Sequence, residues 1–167
     1  MSTRCVLVGP PGAGKSTVGA LVAAALGVAF QDSDEVVVAL AGKPVSDIFI
    51  DDGEPRFRSL EAQAIATALE SFDGVLALGG GAVLDPGTRE LLRGHEVVYL
   101  TVEIGDAIKR VGLGAGRPLL SVNPRATMRH LLDARKPLYE EVATHTIITD
   151  GNDPNEVTAL VLKALGA

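Results

Sequence analysis

One segment near the N-terminus places glycines, a lysine and a hydroxyl side chain at a spacing that suits phosphate binding. The run from Gly9 to Ser16 reads GPPGAGKS and fits the pattern G-x-x-x-x-G-K-[ST] of a P-loop. Glycines let successive backbone N–H groups turn toward phosphate oxygens, and a following helix adds the partial positive charge of its N-terminus. In such a loop Lys15 reaches the β- and γ-phosphates, and the Ser16 hydroxyl binds Mg²⁺. The segment therefore predicts a site for a nucleoside triphosphate.

The same glycines begin a second pattern, the dinucleotide-binding fingerprint G-x-G-x-x-G. Gly12 and Gly14 match its first two glycines, and an acidic residue follows at Asp34. The third glycine, however, falls at Thr17, and the fingerprint gives no role to Lys15. We therefore favour the P-loop interpretation.

Two aspartates close the second predicted strand, near the place where the γ-phosphate of a bound nucleotide would lie. One carboxylate of Asp32-Ser33-Asp34 can act at Mg²⁺ and the other at an acceptor hydroxyl. Ser33 or Asp34 can equally cap a helix that runs to about residue 41. The sequence leaves the chemical and the capping interpretations open.

Further polar groups could complete a kinase site. Gly79, Gly80 and Gly81 either open backbone N–H groups to an anion or form a flexible turn. Arg58 lies on a predicted helix near Glu61, as in many solvated i,i+3 ion pairs. A second arginine, Arg117, follows the glycine-rich residues 112–116, which predict a mobile lid. A third, Arg135, would by itself be a surface charge.

The composition excludes several classes of function. A net charge of −6 and a pI of about 5.0 argue against sequence-independent binding of nucleic acid, which needs a basic face. The longest apolar stretch, residues 18–30, is too short to span a bilayer. The single cysteine, Cys5, excludes a disulfide framework, and with no signal peptide we expect a protein of the reducing cytoplasm. No aspartate is followed by glycine three residues later, as in switch-type GTPases, so a small-molecule kinase is favoured.

Short apolar runs alternate with helical segments along all 167 residues, which indicates a single α/β domain. Such an alternation is typical of a parallel sheet covered on both faces, with ligands beyond the carboxyl ends of the strands. Strands are predicted at residues 5–8, 28–30, 75–78, 97–100 and 146–149. Helices are predicted at residues 16–26, 34–41, 46–49, 54–70, 86–93, 104–111, 125–141 and 154–165, with Pro137 bending or ending the seventh.

The chain resembles one specific family, shikimate kinase, within the nucleoside-monophosphate-kinase-like group of P-loop proteins. The P-loop alone is generic, but the resemblance covers essentially the whole chain and rests on further motifs in order. These are Asp32-Ser33-Asp34, Asp47-Ile48-Phe49, Gly53-Glu54 with Phe57-Arg58, Gly79-Gly80-Gly81, Arg117-Pro118-Leu119 and Arg135-Lys136-Pro137-Leu138-Tyr139.

The resemblance implies a three-layer α/β/α fold with a five-stranded parallel sheet of order 2-3-1-4-5. It implies one P-loop kinase domain, residues 1–167, with an acceptor-binding segment at about 33–61 and a mobile lid at about 112–124. The implied reaction transfers a phosphoryl group from ATP to the 3-hydroxyl of shikimate, with Mg²⁺, in the pathway to chorismate and the aromatic amino acids. The implied enzyme is a cytoplasmic monomer that binds the small molecule shikimate, and neither nucleic acid nor a membrane.

The resemblance also assigns roles on the acceptor side. Arg58 and Arg135, with the backbone of residues 79–81, would hold the shikimate carboxylate, which two guanidinium forks suit well. Asp34 would accept hydrogen bonds from the ring hydroxyls, including the one that attacks. The phenylalanines Phe49 and Phe57 would wall the ring, although core packing is the alternative for both.

On the nucleotide side, Lys15 and Arg117 would neutralise charge on the transferring phosphoryl group. Ser16 and Asp32 would hold Mg²⁺, Asp32 through water. The nucleotide-binding residues would be Gly12, Ala13, Gly14, Lys15, Ser16, Thr17, Arg110 and Arg117. One segment departs from the family pattern: residues 150–154 are acidic where relatives often carry a basic residue against adenine.

Two other functions stay open at this stage. A related kinase could act on another metabolite such as gluconate, but it would need no pair of arginines converging on a carboxylate. A catalytically inactive nucleotide-binding regulator should have lost Lys15, Asp34 or Arg117, and all three are present.

Overall fold

A parallel β-sheet forms the centre of the computed structural model, which describes residues 3–10, 12–102 and 124–167. The order across the sheet is β2-β3-β1-β4-β5, and every neighbouring pair is parallel. The predicted fold class and strand order are therefore confirmed. The strands are β1 (Cys5–Val8), β2 (Ala29–Asp32), β3 (Gly74–Ala77), β4 (Val97–Thr101) and β5 (His145–Ile148).

Helices cover both faces of this sheet. The helices in the described residues are α1 (Lys15–Leu26), α2 (Ser33–Ala41), α3 (Val45–Asp51), α4 (Glu54–Ser71), α5 (Pro86–Leu92), α6 (Pro124–Val142) and α7 (Pro154–Ala164), with a 3₁₀ turn at Ala82–Leu84. The helix predicted at residues 104–111 lies outside the described residues. So do residues 112–123 of the predicted lid.

The alternation of side chains along the strands divides the interior into two cores. In β1, Cys5 and Leu7 pack with α1 and α7 on one face, while Val6 and Val8 pack with α4, α5 and α6 on the other. Since both faces of the central strands are covered, β1 and β3 are buried at every position. This arrangement sets all strand carboxyl ends at one edge, where the loops carry the polar motifs.

A third, smaller core holds the segment that the sequence assigns to the acceptor. Val37 of α2, Ile48 of α3 and Phe57, Leu60 and Ala64 of α4 are all buried together. The segment is thus packed as a unit on α4, and α4 itself packs on the sheet through Ile65. Within the described residues, no helix is both long and apolar enough to cross a membrane.

Some local predictions are wrong in detail. The cap of α2 is Asp32 rather than Ser33 or Asp34: its backbone is extended, and its Oδ1 accepts the N–H of Asp34 at 2.9 Å. The hydroxyl of Ser33 is instead the acceptor for a distant backbone N–H, that of Gly79. The ends of β2 to β5 and of the described helices also differ from the predicted ends by one or two residues.

Pro137 does not end α6, which continues to Val142. A proline inside a helix removes one backbone donor and crowds the preceding turn. Beyond it, however, Tyr139 is buried in the core under the sheet, and Leu138 and Val142 pack against that core. Tertiary packing of the last turn therefore outweighs the local preference to stop.

Candidate active site

The P-loop is shaped by glycines whose backbone angles other residues rarely adopt. Gly12 and Gly14 have φ of 87° and 86°, in the left-handed region. Gly14 is also the N-cap of α1, and no side chain caps this helix end. This end of α1 therefore presents the partial positive charge of the helix to an anion.

Lys15 folds back over this loop. Its Nζ donates hydrogen bonds to the carbonyl oxygens of Gly9 at 2.7 Å and Pro10 at 3.0 Å. The ammonium group is thereby held on the same loop whose N–H groups would bind phosphate. This is the position that the P-loop pattern predicts for the phosphate-binding lysine.

Ser16 and Asp32 meet beside the loop. The Ser16 hydroxyl donates to Asp32 Oδ2 at 2.5 Å, so a hydroxyl and a carboxylate oxygen share one small region. These are the hard oxygen ligands that Mg²⁺ prefers, and Mg²⁺ usually takes few protein ligands besides phosphate and water. The described residues contain no group of three or more His, Cys, Asp or Glu side chains that could hold a metal ion without such help.

A cleft of about 670 Å³ lies between these groups and the carboxyl ends of the strands. This volume is within the range of small-molecule sites. Asp34 and Gly80 line it, and so do Asn152 of the loop before α7 and Pro154, the first residue of α7. The acidic loop at residues 150–154 therefore borders the cleft that also contains the P-loop.

Two carboxylates converge on Gly79. A Cβ atom on Gly79 would lie 2.8 Å from Asp34 Oδ1 and 2.8 Å from Glu61 Oε2, so only a glycine leaves room for both. The Glu61 side chain is 3% exposed, and its Oε2 has no hydrogen-bond partner in the described residues. Burial raises the pKa of Glu61 and the Asp34 charge adds to the rise, while the guanidinium groups of Arg58 and Arg135 oppose it.

Arg58 lies against the third glycine of the run. Its Nη1 donates to Glu61 Oε1 at 2.8 Å, and a Cβ atom on Gly81 would lie 2.3 Å from its Nη2. The pairing with Glu61 is the one that an ordinary helix-surface arginine would make, but this Glu61 is buried and the guanidinium is 22% exposed. The structure thus places Arg58 in the site, in contact with the glycine run.

The glycine run is used for close approach and not for unusual backbone angles. None of Gly79, Gly80 and Gly81 has a positive φ. The N–H of Gly79 donates to Ser33 Oγ at 3.1 Å, so it is engaged within the protein. The N–H groups of Gly80 and Gly81 form no hydrogen bond within the part of the chain that the structure describes. Two of the three expected donors therefore remain for an anion.

Arg135 of α6 is buried, at 6% exposure, with Tyr139 one helical turn further along the same helix. The Tyr139 hydroxyl donates to Gly80 O at 2.5 Å. Burial raises the pKa of Tyr139, which the charge and the hydrogen bond of Arg135 partly offset. A buried guanidinium needs polar partners, and Tyr139 is one of them.

The two candidate wall residues differ. Phe57 is 4% exposed and belongs to the third core, while Phe49 is half-buried and packs on it with ring centroids 4.9 Å apart. The Arg58 guanidinium carbon lies 5.1 Å from the centre of the Phe57 ring. Phe57 therefore supports Arg58 from below, which favours its core-packing alternative; Phe49 keeps surface for a ligand.

Sequence reasoning gave no site role to Glu61, Tyr139 or Ser33. The signal for Glu61 was its i,i+3 spacing from Arg58, which also fits a solvated pair. Tyr139 lies in the motif at residues 135–139, but its partner Gly80 is 59 residues away in the chain. Arg110 and Arg117 lie outside the described residues, so their roles stay predictions.

Comparison with family models matches residues 11–166 to the family described as shikimate kinase. Among curated proteins, a shikimate kinase of Salinispora arenicola is 60% identical over 167 residues, which is 100% of this chain and 100% of that protein. Among solved structures, the shikimate kinase from Acinetobacter baumannii in complex with shikimate has a TM-score of 0.92 at 37% identity. That match covers 98% of this chain and 92% of the other.

A gluconokinase from Sinorhizobium meliloti is also similar in structure. Its TM-score is 0.63 at 20% identity, over 99% of this chain and 92% of that one. At such an identity the likeness extends to the fold alone. The gluconate alternative therefore has support from the fold and none from the sequence.

Proposed function

The chain belongs to the shikimate kinase family, and from that premise we propose how its residues transfer the γ-phosphoryl group of ATP to the 3-hydroxyl of shikimate. The products are shikimate 3-phosphate and ADP, in the pathway to chorismate and the aromatic amino acids. The acceptor binds at the glycine run of residues 79–81, and the nucleotide binds at the P-loop.

Arg58 and Arg135 hold the shikimate carboxylate, together with the N–H groups of Gly80 and Gly81. The support is that Arg58 lies against Gly81, that Arg135 precedes by one helical turn the Tyr139 whose hydroxyl donates to Gly80, and that both guanidinium groups act on the buried Glu61. Charge-assisted hydrogen bonds from two forks fix the orientation of a planar carboxylate as well as its position. Glu61 keeps Arg58 in place, since it pairs with Nη1, while Nε contacts Glu54 at 3.4 Å and Nη2, which lies against Gly81, is the nitrogen that meets the ligand.

Asp34 orients the 3-hydroxyl for attack and accepts its proton. The support is that its carboxylate lines the cleft that also contains the P-loop, next to Gly79 and Gly80. Phosphoryl transfer depends mainly on positioning and on neutralising charge, so this carboxylate need not be a strong base. Its fixed position supplies the alignment of acceptor and donor.

Lys15 exchanges the carbonyl oxygens of its own loop for the β- and γ-phosphate oxygens of ATP, and Arg117 assists it from the lid. Ser16 and Asp32 would hold Mg²⁺, Asp32 through water. When bound, Mg²⁺ would neutralise negative charge on the phosphates. Arg110 and the loop at residues 150–154 contact the adenine side.

A monomer in the cytoplasm is the state that we expect.

The observation that carries this proposal is the convergence of Asp34, Arg58 and the glycine run at the edge of the P-loop cleft. The test is a coupled assay of ADP release with shikimate, with gluconate and with no acceptor. We expect turnover with shikimate alone. ADP release with gluconate, or release that no acceptor changes, would contradict the proposal in favour of one of the two alternatives.

A further inference from the structure

Tyr139 connects two parts of the acceptor site that come from distant parts of the chain. Its hydroxyl donates to the carbonyl oxygen of Gly80 and forms a hydrogen bond with the guanidinium of Arg135. We propose that Tyr139 is a positioning residue for recognition of the acceptor carboxylate: it locks the Gly80–Gly81 peptide and the Arg135 fork into one hydrogen-bonded unit. The inference rests on the proposed function and deepens it.

The peptide between Gly80 and Gly81 is held through its carbonyl group. The described chain contains no cis peptide bond, so the N–H of Gly81 points away from the carbonyl of Gly80. Fixing that carbonyl on Tyr139 therefore fixes the direction of the neighbouring N–H group. Glycines otherwise rotate freely, and a run of three would hold this direction poorly.

The Tyr139 hydroxyl can hold both of its partners at once. A phenol can donate one hydrogen bond and accept another at the same oxygen. Tyr139 uses the donor for a buried carbonyl and the acceptor for a buried cation, so each partner leaves the other role free. Phenylalanine has the same ring and could fill neither role.

The Tyr139 ring is held by packing and not by a ligand. Tyr139 is 1% exposed, and the centroid of its ring lies 5.1 Å from the centroid of the Tyr99 ring on β4. Arg89 stabilises the turn that follows the glycine run, since its Nη1 donates to Val83 O at 2.7 Å and its Nε pairs with Glu141 of α6. The run is therefore attached to α6 at Gly80 and through the turn that follows it, and a ligand meets donors that are already arranged.

The test is the kinetics of Tyr139→Phe beside Tyr99→Phe. Tyr99 loses the same atom from a neighbouring ring, and no hydrogen bond of its hydroxyl is present in the described residues. We expect Tyr139→Phe to raise the KM for shikimate roughly tenfold, the scale of one lost hydrogen bond with a stranded partner, and to leave kcat and the KM for ATP unchanged. Tyr99→Phe should change none of the three. An unchanged shikimate KM, or equal rises in both KM values, would overturn the inference.

A neutral analogue of the acceptor separates positioning from general damage. Methyl shikimate keeps the ring hydroxyls but lacks the carboxylate, so the penalty of Tyr139→Phe should vanish with it. A penalty of equal size with the ester would overturn the inference. If the wild-type protein does not release ADP with shikimate at all, the proposed function fails and the inference fails with it; if the wild type does, a negative result concerns Tyr139 alone.

A second measurement does not depend on the folding of Tyr139→Phe. The chain has two tyrosines, so 3-fluorotyrosine incorporated into Tyr99→Phe labels Tyr139 alone. We expect its fluorine resonance to shift on saturation with shikimate and to stay in place with methyl shikimate. A resonance that ignores shikimate would overturn the inference.

Discussion

The phosphate end and the acceptor end of the cleft both depend on glycine, but for different physical reasons. At the phosphate end, Gly12 and Gly14 adopt positive φ, and a Cβ on Gly14 would meet nothing within 4 Å. At the acceptor end, Gly79 and Gly81 have ordinary backbone angles, but a Cβ on either would collide with site side chains.

This difference reflects how each end makes its contacts. The P-loop would bind with its own backbone, so its glycines allow a conformation. The proposed acceptor end would bind with side chains brought from α2, α4 and α6, so its glycines allow those side chains to come close. Substitutions at the phosphate end should therefore change the kinetics for ATP, and substitutions at the acceptor end should change the kinetics for shikimate.

The largest effect is expected at Asp34. Asparagine keeps its size and one acceptor but removes the charge and the ability to take a proton. We expect Asp34→Asn to lower shikimate-dependent turnover by roughly 10²–10⁴, the range for a lost general base, with ATP affinity nearly intact. Asp32→Asn should differ, because Asp32 contacts Ser16: its activity should partly recover at high Mg²⁺.

Calorimetric titration with ATP and turnover across a Mg²⁺ series measure these two responses. If Asp34→Asn lost ATP affinity and responded to Mg²⁺ while Asp32→Asn did not, the two carboxylates would have exchanged roles. If neither change mattered, the pair would be only a helix cap.

The arginines of the acceptor end should affect one substrate only. We expect Arg58→Ala and Arg135→Ala to raise the KM for shikimate by about 10- to 150-fold, which corresponds to about 1.5–3 kcal/mol for a charge-assisted contact, with little change for ATP. Arg135→Lys should also be impaired, since an ammonium cannot reproduce the fork. The exposed Arg93, whose ion pair in the described part of the chain is with Glu90, provides the control Arg93→Lys. Equal effects on both substrates would contradict the carboxylate assignment.

The glycines test the comparison directly. Gly79→Ala should raise the KM for shikimate by roughly tenfold or more, because overpacking must displace Asp34 or Glu61. Gly14→Ala should raise the KM for ATP instead. Gly27, the left-handed C-cap of α1, has the same open surroundings as Gly14 but lies away from the cleft. Gly27→Ala and Gly14→Ala should each cost about 1–2 kcal/mol of stability in urea unfolding, and only Gly14→Ala should alter kinetics.

The smallest effect concerns the pH dependence of stability. Because burial raises the pKa of Glu61 in the folded protein, the folded state holds this proton more tightly than the unfolded state. The contribution to stability is therefore complete below the unfolded carboxyl pKa and decreases as pH rises toward the folded one. Glu61→Gln should remove this decrease, so its stability relative to wild type should grow with pH in urea unfolding. The exposed Glu70→Gln should run parallel to wild type; a Glu61→Gln curve that did the same would refute the assignment.

The phosphate end could be predicted from the sequence because all its determinants lie within eight consecutive residues, Gly9 to Ser16. The fold could be predicted because each strand is a short apolar run beside a helix signal. The acceptor end was only partly predictable: Arg58 and Glu61 are neighbours on α4, but that spacing does not reveal that Glu61 is buried. The contact of Tyr139 with Gly80 depends on tertiary packing, which no local pattern reports. The cap of α2 was misplaced by one residue because Asp32, Ser33 and Asp34 are all good capping types.

The carboxylate of Asp32 touches both halves of the cleft. Its Oδ2 accepts a hydrogen bond from the hydroxyl of Ser16 beside the P-loop, and its Oδ1 accepts one from the backbone N–H of Asp34, whose side chain lines the cleft next to Gly79. A change in the position of the Asp32 carboxylate when nucleotide binds would therefore also shift the first turn of α2. We expect the two substrates to be energetically coupled through this residue, and linkage makes the coupling reciprocal: the factor by which ATP changes the affinity for shikimate is the factor by which shikimate changes the affinity for ATP.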